Sequence, residues 1–232
     1  MLILGIETAT PQVGVAVGGH EGVLVSFHVN RRPRHAEMLA PGIEFVLRQA
    51  RIEIREISVV AVDVGPGLFT GLRVGIATAK GIAQALRVPM IGVASLDLLA
   101  FSMRQSPKLI VAVIDARRGE VFVGRYRQVP GGVQRLSEHR VASPRDVATE
   151  LASTREECLV VGDGAIRYAE EFRDAGRVEL VEAGQSSPSA AALVQLAHAR
   201  ALREDFVQPT DLHPVYLRKA DAEINWEVRT GA

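Results

Sequence analysis

An α/β fold of two halves, each running β-β-β-α-β-α, is predicted by three features of the sequence. Three strand-length apolar segments, a helical pattern, a buried strand and a second helix follow one another up to about residue 103. The same order then recurs from Leu109. Between the fourth strand and second helix of the first half lies the most informative stretch, Gly65-Pro66-Gly67-Leu68-Phe69-Thr70-Gly71-Leu72-Arg73-Val74-Gly75. Its proline fixes one backbone angle, its glycines permit positive φ and close approach, and Thr70 is suited to cap the helix that follows, so the stretch reads as a rigid strand-to-helix corner.

In order, Leu2 to Thr8, Gln12 to Val17 and Val23 to Asn30 read as an antiparallel meander, joined by Thr10-Pro11 and by Gly18-Gly19-His20-Glu21-Gly22. A helix runs through Leu39, Ile43, Val46, Leu47 and Ala50, with Pro41 in or near its first turn. The strand Val59 to Val64 leads through the corner into a helix spanning roughly Gly71 to Leu86. That helix carries small residues on two lines, Gly71, Gly75 and Ala79, and Ala77, Gly81 and Ala85. Each interior glycine costs a helix about 1 kcal/mol relative to alanine, so the repetition implies close approach of another backbone, either the chain's own sheet or a partner subunit. A strand over Pro89 to Val93 and a helix from Ser95 to Met103 complete the first half.

The second half opens with strands at Leu109 to Asp115, Glu120 to Arg127 and Val133 to Ser137. A helix follows with Ser143 as cap, Pro144 at its first position and Asp146 closing a capping box. Then come a strand at Leu159 to Val161 and a helix near Ala165 to Arg173. A last helix, capped by Ser187 and started by Pro188, runs through Leu193, Leu196 and Leu202 and is expected to return to the first half. Residues 1–103 with the 187–207 helix therefore form one domain, 104–186 a smaller one, and 208–232 an extended tail.

Composition narrows the function classes. The chain has 232 residues, 47% hydrophobic, with 27 basic and 27 acidic side chains, a balance that leaves no overall electrostatic footprint for nucleic acid. Local patches such as Arg31-Arg32-Pro33-Arg34-His35 and Arg117-Arg118 remain. No apolar run approaches the ~20 residues a membrane span needs, and Glu7 interrupts the first apolar stretch, so a cytoplasmic location is expected. One cysteine, Cys158, rules out an intrachain disulfide.

Element order of this kind resembles the actin, sugar-kinase and Hsp70 (ASKHA) superfamily, whose halves are RNase H-like layers. More specifically, Gly65 to Gly75 resembles the GPGSFTGLR-x-G signature of the TsaB (YeaZ) family, with Leu68 in place of serine. Leu4-Gly5-Ile6-Glu7-Thr8-Ala9-Thr10, His35-Ala36-Glu37-Met38-Leu39-Ala40-Pro41, Asp115-Ala116-Arg117-Arg118-Gly119-Glu120-Val121-Phe122 and Pro214-Val215-Tyr216-Leu217-Arg218 are similar to its other motifs, in order, with Glu7 where aspartate is commoner. The resemblance implies a non-catalytic subunit of the bacterial complex that makes threonylcarbamoyladenosine in tRNA. Its partners would be a TsaD-type catalytic paralogue and a TsaE-type ATPase, or a second copy of itself when the paralogue is absent, with tRNA met through the complex. The implied pairing surface comprises His35, Leu39, Ile43, Gly71, Gly75, Thr78, Ala79 and Ile82. Gly75→Leu is accordingly expected to weaken pairing while leaving the monomer folded, and the tail to dock on the paralogue or a second copy.

The competing reading is a small actin-like ATPase or phosphotransferase. Glu7, Thr8 and Thr10 could serve a first phosphate loop and Asp115 a second, as a degenerate nucleotide site, although no G-x-x-x-x-G-K-[ST] loop exists and Arg117-Arg118 puts side chains where backbone amides should meet phosphate. The histidines are scattered, with no His-x-x-x-His pair for a divalent metal, so neither metal nor cofactor is expected. Ser95 lacks the G-x-S-x-G elbow of a hydrolase and reads as a helix cap; Cys158 reads as a buried hydrophobe. Asp63 and Asp97 read as strand-end and helix-start acceptors.

Overall fold

The computed structural model describes residues 1–30 and 35–218. The basic run Arg31 to Arg34 and the tail beyond residue 218 lie outside the described residues. The first half consists of β1 (Leu2–Glu7), β2 (Gln12–Gly19), β3 (Gly22–Asn30), α1 (His35–Ala50), β4 (Val59–Gly65), α2 (Phe69–Leu86), β5 (Met90–Ala94) and α3 (Ser95–Ser102). The second contains β6 (Leu109–Arg117), β7 (Glu120–Val129), β8 (Gly132–Arg135), β9 (Arg140–Ala142), α4 (Pro144–Thr154), β10 (Cys158–Val161), α5 (Asp163–Arg167), α6 (Ala169–Arg173) and β11 (Val178–Leu180), and α7 (Ala190–Ala201) follows.

The two sheets are built alike. Their orders are β3-β2-β1-β4-β5 and, read in the matching direction, β8-β7-β6-β10-β11. In each, the first three strands are antiparallel and the last two run parallel to the first. This is the duplicated RNase H-like arrangement of the actin, sugar-kinase and Hsp70 fold. Strands β1, β4 and β6 are apolar almost throughout because helices cover both faces.

On one face of the first sheet, Leu4, Ile6, Val60 and Val62 pack against Leu39 and Val46 of α1 and Leu72, Ile76 and Ala79 of α2. On the other, Ile3, Ala16, Val59 and Ala61 meet Leu193, Val194 and Ala197 of α7. Gly5 makes that approach possible, since a Cβ there would lie 2.9 Å from Val194 Cγ2. Helix α3 lies between the sheets: Leu98 and Phe101 join the first core, Leu96, Leu99 and Ala100 the second. The chain thus leaves the first sheet through α3 and returns to it through α7.

Several helix starts differ from the sequence expectation. The cap of α7 is Ser189, whose hydroxyl accepts from the amides of Ala191 and Ala192, two residues beyond Ser187. The cap of α3 is Ala94, with no side-chain bond, because the Ser95 hydroxyl is turned to Asp63. Asp97 is not a local helix-start acceptor. It reaches across to the second sheet, accepting from the Tyr126 hydroxyl at 2.8 Å and from Arg135 at 2.6 Å. Ser143 does cap α4, accepting the Asp146 amide at 3.0 Å, and Pro144 opens that helix. Ser143→Ala should therefore lower stability by about 1 kcal/mol, measured by denaturant unfolding, with no change in helix register.

Candidate functional site

The conspicuous site is the junction of the first hairpin loop, Thr8 to Thr10, with the corner after β4. Gly65 has φ +98° and is joined to Pro66 by a cis peptide bond. Beyond it the corner clamps the loop: the Leu68 amide donates to the Ala9 carbonyl at 2.7 Å, and the Thr8 hydroxyl donates to the Gly71 carbonyl at 2.8 Å. A Cβ at Gly71 would lie 2.1 Å from the Thr8 carbonyl oxygen, and one at Gly75 2.1 Å from Thr8 Oγ1. Thr70 is not the cap; the N-cap of α2 is Leu68, without a side-chain bond, and Thr70 faces solvent. The loop backbone, rather than a hydroxyl from the corner, anchors the start of this helix.

The residues of the expected pairing surface divide between the interior of the chain and its half-buried flank. His35, Leu39, Ile43, Gly71, Gly75 and Ala79 are buried within the chain itself, while Thr78 and Ile82 are half-buried. The first small-residue line of α2 docks on the chain's own hairpin loop and sheet. Gly75→Leu would therefore strike Thr8 before it reached any partner. His35 has a local role, its Nε2 lying 2.8 Å from the Thr10 carbonyl. The open line is the second one. Ala77, Gly81 and Ala85 are exposed, and nothing lies within 4 Å of a Cβ built at Gly81.

The same outer face of α2 begins with Phe69 and Arg73, whose guanidinium sits 3.8 Å from the Phe69 ring centre. Tyr216 stacks beside Phe69 at 5.3 Å. The described part of the tail straps this chain. Leu212 is buried in the first core, the Val215 amide donates to the Val64 carbonyl, and Arg218 meets Glu120 of the second half at 3.1 Å.

Of the residues considered for nucleotide, Glu7, Thr8 and Thr10 are all essentially inaccessible, at 0%, 1% and 1% exposure. Their polar atoms are used internally. Glu7 accepts from the Ala9 amide at 2.8 Å and from Gln12 Nε2 at 3.3 Å, and Thr10 Oγ1 accepts the Gln12 amide. Asp115 stands at the equivalent end of β6 in the other sheet, accepting the Arg117 amide and flanked by the Arg117 and Arg167 guanidiniums at 3.3 and 3.6 Å. Asp115 thus has its own set of partners at the end of its own sheet.

What it does bring together is an acidic pair in each half. Ile6 and Val62 are partners in parallel β1 and β4, so Glu7, the last residue of β1, and Asp63, near the end of β4, are neighbours across the pair. In the second half Asp163, just past β10, accepts the Asp115 amide at 3.0 Å. Burial, with Asp115 nearby, pushes the Asp163 carboxyl up to about 6. Burial also pushes Asp63 up to about 7, against hydrogen bonds from Ser95 and Gly65, and it raises Glu7 well above the carboxylate range, Asp63 adding to the effect. The sequence signal for these partners was a first acidic residue after an unbroken apolar run. Only the register shows that two such residues are neighbours.

The hydrolase candidates are spoken for: the Ser95 hydroxyl donates to Asp63 Oδ1 at 2.6 Å, and the Cys158 thiol is buried in β10, which raises its pKa. Among the described residues no group of three or more His, Cys, Asp or Glu could hold a metal ion, and no helix is long and apolar enough to cross a membrane.

Residues 30–226 match a family model described as TsaD, tRNA N6-adenosine threonylcarbamoyltransferase. The chain is 31% identical to the Escherichia coli (strain K12) tRNA threonylcarbamoyladenosine biosynthesis protein TsaB, across 94% of this chain and 95% of that one. It is 27% identical to the Bacillus subtilis (strain 168) protein of the same name, across 97% and 98%. Among solved structures, YeaZ from Pseudomonas aeruginosa superposes with a TM-score of 0.81 at 28% identity, covering 93% of this chain and 99% of that one. With the duplicated fold and the clamped corner, this similarity over nearly the full length establishes that the chain belongs to the TsaB (YeaZ) family.

Proposed function

We propose that the chain is a non-catalytic pairing subunit in the synthesis of N6-threonylcarbamoyladenosine in tRNA, acting in the cytoplasm. It docks on a TsaD-type catalytic paralogue of the same fold, admits a TsaE-type ATPase to the assembly, and closes on a second copy of itself when the paralogue is absent. The observation that carries this reading is the near end-to-end similarity to proteins named for that pathway, 94% of this chain against 95% of the Escherichia coli protein. The outer faces of α1 and α2 support the docking: they lie on one side of the first sheet, and the exposed line Ala77, Gly81 and Ala85 lets a partner helix approach closely. Phe45 of α1 and Phe69 of α2 add exposed aromatic surface on these helices.

The test is threonylcarbamoyl transfer to unmodified tRNA, reconstituted from the adenylate-forming enzyme, the paralogue and the ATPase, with and without this chain, alongside sedimentation with the paralogue. Strict dependence and a one-to-one complex are the expected results; transfer at full rate without the chain overturns the proposal. Gly81→Leu should leave the unfolding midpoint within about 1 kcal/mol of the parent, since the site is open, while weakening pairing at least tenfold, or by ~1.4 kcal/mol. Unchanged affinity would move the interface off this line.

A further inference from the structure

The acidic pairs of the two halves occupy equivalent strand ends but are neutralised differently. In the second half, Arg117 and Arg167 flank Asp115, and the Tyr168 hydroxyl donates to it at 3.3 Å. In the first half no cation is paired with Glu7 or Asp63 among the described residues. Their partners are neutral: the Ala9 amide and Gln12 on Glu7, the Gly65 amide and Ser95 on Asp63. Asp63 Oδ2, buried, accepts no hydrogen bond among the described residues. The remaining ionisable groups nearby do not supply the missing charge. Asp97 of α3 adds repulsion and is itself engaged with Arg135, His35 of α1 is turned to the Thr10 carbonyl, and the first turn of α7 carries no acidic side chain.

The neutral partners lie at the two crossings between the halves. Ser95, bound to Asp63, is the first residue of α3, through which the chain leaves the first sheet. Gln12, bound to Glu7, also donates at 2.8 Å to the Pro188 carbonyl, just ahead of α7, through which it returns. Each carboxyl group is thus one or two hydrogen bonds from one crossing.

We propose that Glu7 and Asp63 together hold a single proton, and that this shared proton latches the starts of α3 and α7 to the first sheet. Two carboxylates side by side in a dry site cannot both ionise without strong repulsion, and a proton on one supplies the donor that Asp63 Oδ2 lacks. The raised proton affinities of both groups agree with this. The folded pair keeps protons that unfolded carboxyl groups release near ~4, so the stability it confers is fully present below that pH; it starts to be lost as pH rises through about 7, the value for Asp63, and is gone once Glu7, whose proton the ionised Asp63 holds on more tightly, releases the shared one.

The experiment uses the full chain, with Asp63→Asn, whose amide oxygen still accepts from Ser95 and Gly65 and whose uncharged NH2 takes the place of Oδ2 as a permanent donor. Thermal midpoints are measured between pH 5.5 and 8.5, with amide exchange at residues 95–99 and 190–194 corrected for its intrinsic pH dependence. The parent midpoint should fall by about 5 °C more than that of the variant, and protection of those amides should fall at least tenfold in the parent and stay level in the variant. An equal slope in both proteins overturns the shared proton. A pH slope in the parent with unchanged protection at the two helix starts overturns the latch. Should Asp63→Asn not fold, Glu7→Gln takes its place with the same expectations, and constant protection in the parent alone is already decisive against the proposal.

Discussion

Gly71→Ala is expected to lower the stability of this chain by about 3 kcal/mol, a fall of roughly 6–12 °C in midpoint for a protein of this size, although alanine is the better helix former. The added methyl would lie 2.1 Å from the Thr8 carbonyl oxygen and 3.3 Å from the His35 ring. The carbonyl cannot step aside, because the loop is held by the Ala9 amide on Glu7, the Leu68 amide on the Ala9 carbonyl and His35 at Thr10. Relief must come from shifting the whole start of α2, which also breaks the buried bond from Thr8 to the Gly71 carbonyl. Gly81→Ala, nearly three turns further along and on the outer face, is the matched control: with open space around it, it should stabilise the monomer by about 0.5–1 kcal/mol. Denaturant unfolding of the two variants side by side decides the matter. Equal and opposite helical logic at the two sites would be lost if both were stabilising, and the clamp would then not exist.

Asp97→Ala should cost about 3 kcal/mol at neutral pH, because it strips the group that ties α3 to the second sheet. Asp97 accepts from the Tyr126 hydroxyl and from Arg135, and His139 Nε2 lies 2.6 Å from that hydroxyl. Without the carboxylate, Tyr126, almost wholly buried, keeps only His139, and Arg135 loses its partner. The hydrogen bonds from His139, Arg135 and Tyr126 outweigh burial and hold the Asp97 carboxyl below its ordinary value. Its contribution is therefore present above the unfolded value near ~4 and lost as pH falls through the lower folded one. The difference in midpoint between parent and variant should be wide at pH 7 and close on acidification toward pH 3. A gap that stays constant would mean that Asp97 contributes by packing alone.

Much of the fold was legible because its signals are local. Apolar segments bounded by turn residues marked β2 and β3, unbroken apolar runs marked β4 and β6, and Ser143-Pro144 marked the start of α4. The short elements were not: β9, β11 and the break between α5 and α6 span three to five residues each, too few for any period to stand out. Helix caps shifted for a related reason. Leu68 and Ala94 cap α2 and α3 with no side-chain bond, and the neighbouring hydroxyls, which a reading of sequence favours as caps, face solvent at Thr70 and Asp63 at Ser95.

The sequence by itself determined the element order, the duplicated halves, the family motifs and the presence of two small-residue lines on α2. Only the tertiary structure decided which line faces inward. The two are offset by two residues, about 200° of helix, so periodicity separates the faces but carries no information about which one meets the sheet. Contact with Thr8, sixty-three residues away from Gly71, settles that. The acidic pairs were invisible for the same reason: Glu7 and Asp63 become neighbours through the register of β1 with β4, a long-range pairing that no local pattern encodes.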